Sequence, residues 1–249
     1  MATLHLLGTG AALSDGSRTT TMLAAEAASS VVVIDCGGDV FQRLLASGVD
    51  PDRIDALILT HEHADHVSGF PLFMERIWLS GRERPMRVCG PEPALSQARR
   101  CFGTFDTGAW DGLPEIEWCV VPLEEGAGVL SDQEWRITSA PGIHSVPVVG
   151  LRLESRASDG VVAYSSDTER CDAIARLAQG ADILFHEAML REFSGHTTVH
   201  DAAHVARQAG AGRLVLVHLP PGVQDADLKE ARRSFEPIEL GEDGARYDF

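Results

Sequence analysis

The chain has 249 residues, of which 37 are acidic and 21 are basic, so its formal net charge is −16. A general polyanion binder needs a net-basic face to release counterions from phosphates. The charge therefore excludes that class and leaves room only for a local arginine-lined groove. With 44% apolar residues, a chain of this length predicts one α/β domain over residues 1–249.

The cysteines and the N-terminus indicate the compartment. Five scattered cysteines, none in a Cys-x-x-Cys motif, predict reduced thiols rather than a disulfide framework or a cysteine zinc site. The first residues lack the basic and long apolar segments of a signal peptide, and no stretch is apolar enough to span a membrane. We expect a cytoplasmic protein with no membrane partner.

Short apolar, β-branched runs predict ten strands along the chain. In chain order they are Thr3–Leu7, Val31–Asp35, Ala56–Thr60, Arg87–Cys89, Ile116–Val121, Trp135–Ser139, Val148–Leu153, Val161–Tyr164, Asp182–His186 and Leu214–His218. Strands in hairpin-like series, followed by strands that alternate with helices, predict a mixed sheet covered by helices. The expected fold class is therefore α/β.

Three helices are predicted at Val40–Ala46, Cys171–Gln179 and Val199–Gln208. Each has apolar residues three and four apart, and a glycine stands where its C-terminus is expected. Residues Ser80–Pro93 and Cys101–Pro114 are the least patterned. We expect them to form surface loops or a lid.

The strongest chemical signal follows the apolar run Ala56–Leu59, where the sequence reads Thr-His-Glu-His-Ala-Asp-His over residues 60–66. His61 and His63 are two apart at a strand end, so both imidazoles point to the same side and can reach one cation. Asp65 and His66 come after the chain has turned and can face a second cation. A metal site is the interpretation that this spacing favours.

Further ligands are expected where other predicted strands end. His144 follows the strand that begins at Trp135, Asp167 follows Val161–Tyr164, and His218 ends the last strand. The C-terminal ends of strands are where α/β folds gather their functional groups. These three residues are therefore candidate ligands as well.

Several motifs together resemble the metallo-β-lactamase superfamily, and specifically its ribonuclease Z-like branch. They are Leu-Gly-Thr-Gly-Ala from residue 7, Asp-Cys-Gly-Gly from residue 35, the His-x-His-x-Asp-His run, Ser-Asp-Thr from residue 166, His-Glu-Ala from residue 186, Gly-His-Thr-Thr from residue 195, and His218. The His-x-His-x-Asp-His run alone resembles the whole superfamily, whereas His-Glu-Ala followed by Gly-His-Thr-Thr is typical of the branch.

The resemblance implies an αββα sandwich with a dinuclear site at one edge. One metal would be held by His61, His63 and His144, and the other by Asp65, His66 and His218. Asp167 would bridge the two. Five imidazoles and two carboxylates without a thiolate favour zinc, and manganese or iron also fit this donor set.

The resemblance also implies a catalytic group beside the metals. Glu187 would orient His196, which would donate a proton to the leaving oxygen, and Asp65 would help to position the attacking water. We expect His186 to support the ligands without binding metal, and His200 and His204 to lie on a solvated helix face.

Arginines are the remaining candidates for contacts with the substrate. Arg82, Arg84 and Arg87 lie in an unpatterned segment and are candidates for a phosphate contact. We interpret Arg99–Arg100 and Arg232–Arg233 as surface charge.

The interval between His144 and Asp167 has room for little more than a β-hairpin, whereas ribonuclease Z carries a long tRNA-gripping arm there. The predicted function is a dinuclear-metal phosphodiesterase acting on a small phosphodiester or a short nucleic-acid end. Hydrolysis of a carboxylic ester, thioester or lactone by the same site is the alternative, and a metal-bearing binding module without turnover is a further one. The resemblance also implies a homodimer.

Overall fold

The computed structural model describes residues 1–13 and 15–249. Within those residues fourteen strands form two seven-stranded sheets. The strands are β1 Thr3–Gly8, β2 Met22–Glu26, β3 Val31–Ile34, β4 Ile54–Ile58, β5 Met86–Gly90, β6 Ile116–Val120, β7 Ala127–Ser131, β8 Trp135–Pro141, β9 Val149–Ser155, β10 Val161–Tyr164, β11 Ile183–Glu187, β12 Leu214–Val217, β13 Ile238–Leu240 and β14 Arg246–Asp248.

Six α-helices in the described residues connect or follow these strands. They are α1 Val40–Ala46, α2 Ala64–Val67, α3 Phe70–Leu79, α4 Glu92–Phe102, α5 Asp172–Leu177 and α6 Val199–Ala209, with short 3-10 turns at Pro51–Arg53, Asp225–Leu228 and Ala231–Arg233. Among them, no helix is both long and apolar enough to cross a bilayer.

The two sheets pack face to face, with helices on their outer sides. The first sheet has the order β14-β1-β2-β3-β4-β5-β6 and the second has the order β13-β12-β11-β10-β9-β8-β7. Buried side chains such as Leu4, Ile58 and Trp135 fill the space between the sheets. Two further apolar clusters join the first sheet to α1, α3 and α4, and the second sheet to α5 and α6. This is the expected αββα sandwich.

The strand directions place several strand ends at one edge. In the second sheet β10, β11 and β12 are parallel, and β9 is antiparallel to both of its neighbours. Strands β8, β10, β11 and β12 therefore all end at the same edge. The residues that follow them are brought together although they are far apart in sequence.

All ten predicted strands and all three predicted helices are present, with ends shifted by at most a few residues. The expectation of surface loops at Ser80–Pro93 and Cys101–Pro114 is wrong in part, because helix α4 occupies Glu92–Phe102. Residues 103–113 are irregular and mostly exposed, as expected. The Trp110 ring stacks on Trp78 there, with centroids 4.8 Å apart.

The interval between His144 and Asp167 is a short hairpin, as expected. Strands β9 and β10 pair from Val161–Glu154 to Tyr164–Leu151. Only residues 156–160 join them, and the first four of these are exposed. No room is left there for a protruding arm.

Candidate metal centre

The His-x-His-x-Asp-His run leaves the first sheet at the end of β4 and enters α2. His63 precedes this helix with an extended backbone, so Asp65 and His66 lie in its single turn. The loop after β3 packs tightly against this turn. A Cβ added to Gly37 would lie 1.6 Å from the Asp65 carbonyl oxygen, so only glycine fits at that position.

The first donor cluster contains His61, His63, His144 and Asp167. Nδ1 of His63 lies 3.2 Å from Nε2 of His61 and 3.1 Å from Nε2 of His144. Oδ2 of Asp167 lies 3.7 Å from Nε2 of His61. Three imidazole nitrogens and a carboxylate oxygen therefore converge on one point.

The second cluster contains Asp65, His66, Asp167 and His218. Nε2 of His218 lies 3.2 Å from Oδ2 of Asp167 and 3.4 Å from Oδ2 of Asp65. Nε2 of His66 lies 3.4 Å from Oδ2 of Asp65 and 3.6 Å from Oδ2 of Asp167. The same Asp167 oxygen belongs to both clusters, and the structure thus brings all seven predicted ligands together.

The donor set fits two divalent cations. In each cluster the donor atoms lie within 4.8 Å of one another. Nε2 of His66 and Oδ1 of Asp167 are buried without a hydrogen-bond partner among the described residues. Buried polar atoms are rarely left unpaired, and imidazole nitrogens that face each other cannot all be satisfied by protons. Cations at these two points would satisfy them.

The pKa shifts support this interpretation. Burial alone would raise the pKa of Asp167, but His218 and His66 lower it well below its usual range. Burial also opposes the ionised form of Asp65, yet the neighbouring imidazoles of His218 and His66 lower its pKa. The pKa of His61 is lowered by burial. Ionised carboxylates and neutral imidazoles are the forms that bind metal.

His66 shows the opposite direction. Burial would lower its pKa, but Asp167 and Asp35 raise it well above its usual range. Without a cation, a proton on His66 balances the negative charge of Asp167 and Asp35. A bound cation would take over that role.

A buried network holds the ligands in place. The Asp35 carboxylate accepts hydrogen bonds from Nδ1 of His66 at 2.9 Å and from the backbone N–H of Thr60 at 2.8 Å. Three of the four non-glycine residues with positive φ in the described residues are Asp35, Ser166 and His218, all at or beside the clusters. Such strained backbone is typical of functional sites. Asp35 had no assigned role in the sequence, although it stands in the Asp-Cys-Gly-Gly motif.

His144 is oriented from the opposite side. Its Nδ1 donates to the Gly195 carbonyl at 2.7 Å, which leaves Nε2 facing the first cluster. Gly195 has φ +83°, and a Cβ there would lie 2.7 Å from Nδ1 of His144. The loop before His196 is thus shaped to support a ligand.

Glu187 and His196 form a pair beside the clusters. Nδ1 of His196 donates to the Glu187 carboxylate, at 3.0 Å from Oε2. The backbone N–H of Thr168 also donates to Glu187, at 2.6 Å. Burial and then Asp167 raise the pKa of Glu187, while burial lowers the pKa of His196. The His196 ring stacks on His218, with centroids 5.5 Å apart and planes 7° apart.

Other predicted residues lie elsewhere. His186 is buried outside both clusters, and its Nδ1 donates to the Glu187 carbonyl at 2.8 Å. His200 and His204 are one turn apart on α6, with their Nε2 atoms 3.0 Å apart on its exposed side.

The arginines are distributed differently from the expectation. Arg84 pairs with Asp55 and Arg87 pairs with Glu117, while Arg82 donates to the carbonyls of residues 84 and 85. None of the three is among the residues that line the cavity beside the clusters. Arg100 instead lines a recess of about 340 Å³ together with His63.

A cavity of about 640 Å³ opens over the clusters and reaches Asp65, Asp167, His196 and His218. Its walls come from Ala11–Leu13, Met189–Phe193 and Pro220–Pro221. Most of these side chains are apolar, and no periodic pattern in the sequence identifies them. The site thus combines two metal-type clusters, an imidazole–carboxylate pair and an apolar cavity.

Comparisons with known proteins agree with this geometry. Residues 31–219 match the beta-lactamase superfamily domain. The chain is 27% identical to a ribonuclease Z of Methanothermobacter thermautotrophicus, over 98% of this chain and 95% of that protein. It is 30% identical to a ribonuclease Z of Mycolicibacterium gilvum, over 98% of this chain and 94% of that protein.

The fold comparison points the same way. The metallo-beta-lactamase fold protein YhfI from Bacillus subtilis superposes with a TM-score of 0.83 at 23% identity, covering all of both chains. The profile match spans most of the sequence, and the ribonuclease Z similarity extends over nearly its whole length. The chain therefore belongs to the metallo-β-lactamase superfamily, in its ribonuclease Z-like branch.

Proposed function

We propose that this protein is a metal-dependent phosphodiesterase that hydrolyses a small phosphodiester or a short nucleic-acid end. One observation carries the proposal. The buried Glu187 carboxylate holds Nδ1 of His196 at 3.0 Å, and the His196 ring lines the same cavity as Asp65, Asp167 and His218. A proton donor is thus held ready beside the metal-type clusters, which is what a poor alkoxide leaving group requires.

The ligand assignment follows the two clusters. His61, His63 and His144 would hold one ion and Asp65, His66 and His218 would hold the other, with Asp167 facing both. Five imidazoles and two carboxylates favour zinc over harder ions. Metal analysis of the purified protein by mass spectrometry tests this identity, and a content of about two zinc ions per chain is the expected result.

Bound divalent ions supply Lewis acidity, which lowers the pKa of water and offsets charge on the phosphoryl oxygens. The residues of the chain do the rest. Asp65 positions the attacking water, whose oxygen forms the new bond to phosphorus and whose proton passes to solvent. The phosphorus–oxygen ester bond breaks, and the departing oxygen takes the proton of Nε2 of His196. Bound cations would offset the charge of Asp167, which is one cause of the raised pKa of Glu187. An ionised Glu187 would then stabilise the protonated form of His196 before this transfer, and its hydrogen bond fixes the orientation of the ring.

Three observations support a small substrate. The β9–β10 hairpin has only five connecting residues, and the net charge is −16. The alignment with the Methanothermobacter relative runs over 301 positions, more than the 249 residues of this chain, so that relative has segments that this chain lacks. A long polyanion has little basic surface to bind here.

Hydrolysis of bis(p-nitrophenyl) phosphate by zinc-loaded protein, measured beside p-nitrophenyl acetate and a simple lactone, tests the proposal. His196→Ala is expected to lower diester turnover by about 10²-fold or more while the metal content is kept. His200→Ala, at an exposed histidine on α6, is the matched control and is expected to keep full activity. Ester or lactone turnover that exceeds diester turnover and survives His196→Ala would replace this proposal with a carboxylic ester hydrolase.

We also propose a single-domain homodimer in the cytoplasm. The unpaired thiols, two of them buried, suit a reducing compartment. Exposed Leu72 and Leu79 on α3 offer an apolar surface for a second copy. Sedimentation analysis tests the dimer, and Leu79→Glu is expected to shift the protein toward monomer.

A further inference from the structure

The cavity over the metal-type clusters has walls that differ sharply from its floor. The floor consists of charged and polar groups from Asp65, Asp167 and His218. The walls are mainly hydrocarbon, and they come from three separate loops. A phosphodiester bound at the floor can place one of its ester groups against these walls.

The wall residues are unusually exposed for their type. Phe193 is 67% exposed, Leu13 is 75% exposed and Leu190 is 41% exposed. Three large apolar side chains that converge on one cavity form a patch, and such patches mark binding sites. A ligand that covered them would remove apolar area from water. The cavity therefore favours a substrate with an apolar group next to its phosphate.

Phe193 indicates the shape of that group. Its ring lies 5.3 Å from the His196 ring with the planes 41° apart, and His196 stacks in turn on His218. A row of rings thus leads outward from a metal-type cluster to a ring that is mostly exposed. The open surface of Phe193 is suited to a planar partner, because offset stacking adds to the free energy of simple burial.

We infer that this cavity binds a planar aromatic group of the substrate, such as a nucleobase, and that Phe193 stacks on it. The inference rests on the proposed function, since it takes the phosphodiester to lie at the metal-type clusters. The volume of about 640 Å³ lies within the range of about 300–1,000 Å³ that is usual for small-molecule sites.

Binding of matched monophosphates, measured by calorimetry on zinc-loaded protein, tests the inference. Adenosine 5′-monophosphate and ribose 5-phosphate share a phosphate and a sugar and differ by the base. We expect the adenosine compound to bind about tenfold or more tightly, which is the scale of one base–aromatic stack. Hexyl phosphate, which offers apolar area without a plane, is expected to bind more weakly than the adenosine compound.

Variants at Phe193 assign the preference to its ring. Phe193→Ala and Phe193→Leu are expected to remove most of the preference for the base, whereas Phe193→Tyr keeps it. Phe105→Ala changes an exposed phenylalanine outside the cavity and serves as the control. Equal binding of the two matched compounds, a preference that survives Phe193→Ala, or hexyl phosphate binding as tightly as the adenosine compound would overturn the inference.

The two proposals fail separately. Base-dependent binding through Phe193 without hydrolysis of bis(p-nitrophenyl) phosphate would refute the phosphodiesterase and retain the aromatic subsite. Hydrolysis of the diester without a preference for the base would refute the subsite alone.

Discussion

The two sheets supply the metal-type clusters in different ways. The first sheet supplies four donors within His61–His66, directly after β4. The second sheet supplies His144, Asp167 and His218 from the ends of β8, β10 and β12. The donors of the first sheet are placed by the local backbone of one short segment. The donors of the second sheet are brought together only by the order of its strands. The second sheet joins the two clusters, because Asp167 belongs to both.

The largest expected effect is the difference in metal content between a variant of a second-sheet ligand and a variant of a first-sheet ligand. Asp167→Ala removes the shared oxygen, so we expect both ions to be lost, with an affinity decrease beyond the roughly 100-fold that a lost outer hydrogen bond costs. His63→Ala removes a donor of one cluster and is expected to leave about one ion bound. Metal content after dialysis measures both variants. Equal losses in the two variants would contradict the shared role of Asp167.

The catalytic pair belongs to the second sheet and its following loop, and it should be separable from metal binding. Glu187→Gln keeps the shape but removes the carboxylate charge that stabilises protonated His196. We expect diester turnover to fall by about 10²-fold, with metal content unchanged. Turnover against pH and metal analysis measure the two effects. Loss of metal together with activity would place Glu187 among the ligands instead.

The ligands supplied by the first sheet depend on a residue that contacts one of them and binds no metal itself. Asp35 accepts hydrogen bonds from His66 and Thr60, so Asp35→Asn should misorient His66. The expected result is a 10- to about 100-fold loss of metal affinity, measured by chelator competition. Asp132→Asn, at an exposed turn, is the matched control. An unchanged affinity in Asp35→Asn would show that the helix turn alone positions the first-sheet ligands.

The smallest expected effect concerns His186 on β11. Burial lowers its pKa to about 4, from 6.5. The folded state therefore keeps the His186 ring neutral. The contribution of this neutral ring to the free energy of unfolding is complete above pH 6.5 and is lost as the pH falls toward 4. Between pH 7.5 and 5.5 this amounts to about 1 kcal/mol of unfolding free energy.

Denaturant unfolding of metal-free protein at the two pH values measures this loss. His186→Asn keeps a hydrogen-bond donor and cannot become charged, so it should lose less stability than the wild type. His200→Asn, at an exposed position, is expected to behave like the wild type. An identical pH dependence in His186→Asn would contradict the assignment.

The sequence predicted the parts of the fold that have a clear pattern. The run Ala56–Leu59 identified β4, and Thr198 with Gly210 delimited α6. Strand β2 was missed because Met-Leu-Ala-Ala-Glu has neither alternation nor β-branched residues. Helix α4 was not predicted, and its two ends fell within the expected loops, although proline is tolerated in the first turn of a helix.

The site was predictable to a similar degree. All seven predicted ligands converge, because motif order and strand ends constrain them. Asp35 was missed because its contact with His66 depends on a positive φ and on a neighbouring strand, neither of which leaves a pattern. Phe193 and Leu13 were missed because a lone exposed apolar residue in a loop has no distinguishing signal.

The β9–β10 hairpin has an evolutionary consequence. Strand β9 has seven residues, so the connecting turn lies roughly 20 Å along the strands from the edge that carries the ligands. Insertions at an exposed turn are tolerated when the paired strands stay intact. A lineage can therefore lengthen or shorten this turn to gain or lose large partners while its chemistry is inherited unchanged. The size of the substrate that the protein accepts and the reaction that it catalyses can therefore evolve independently.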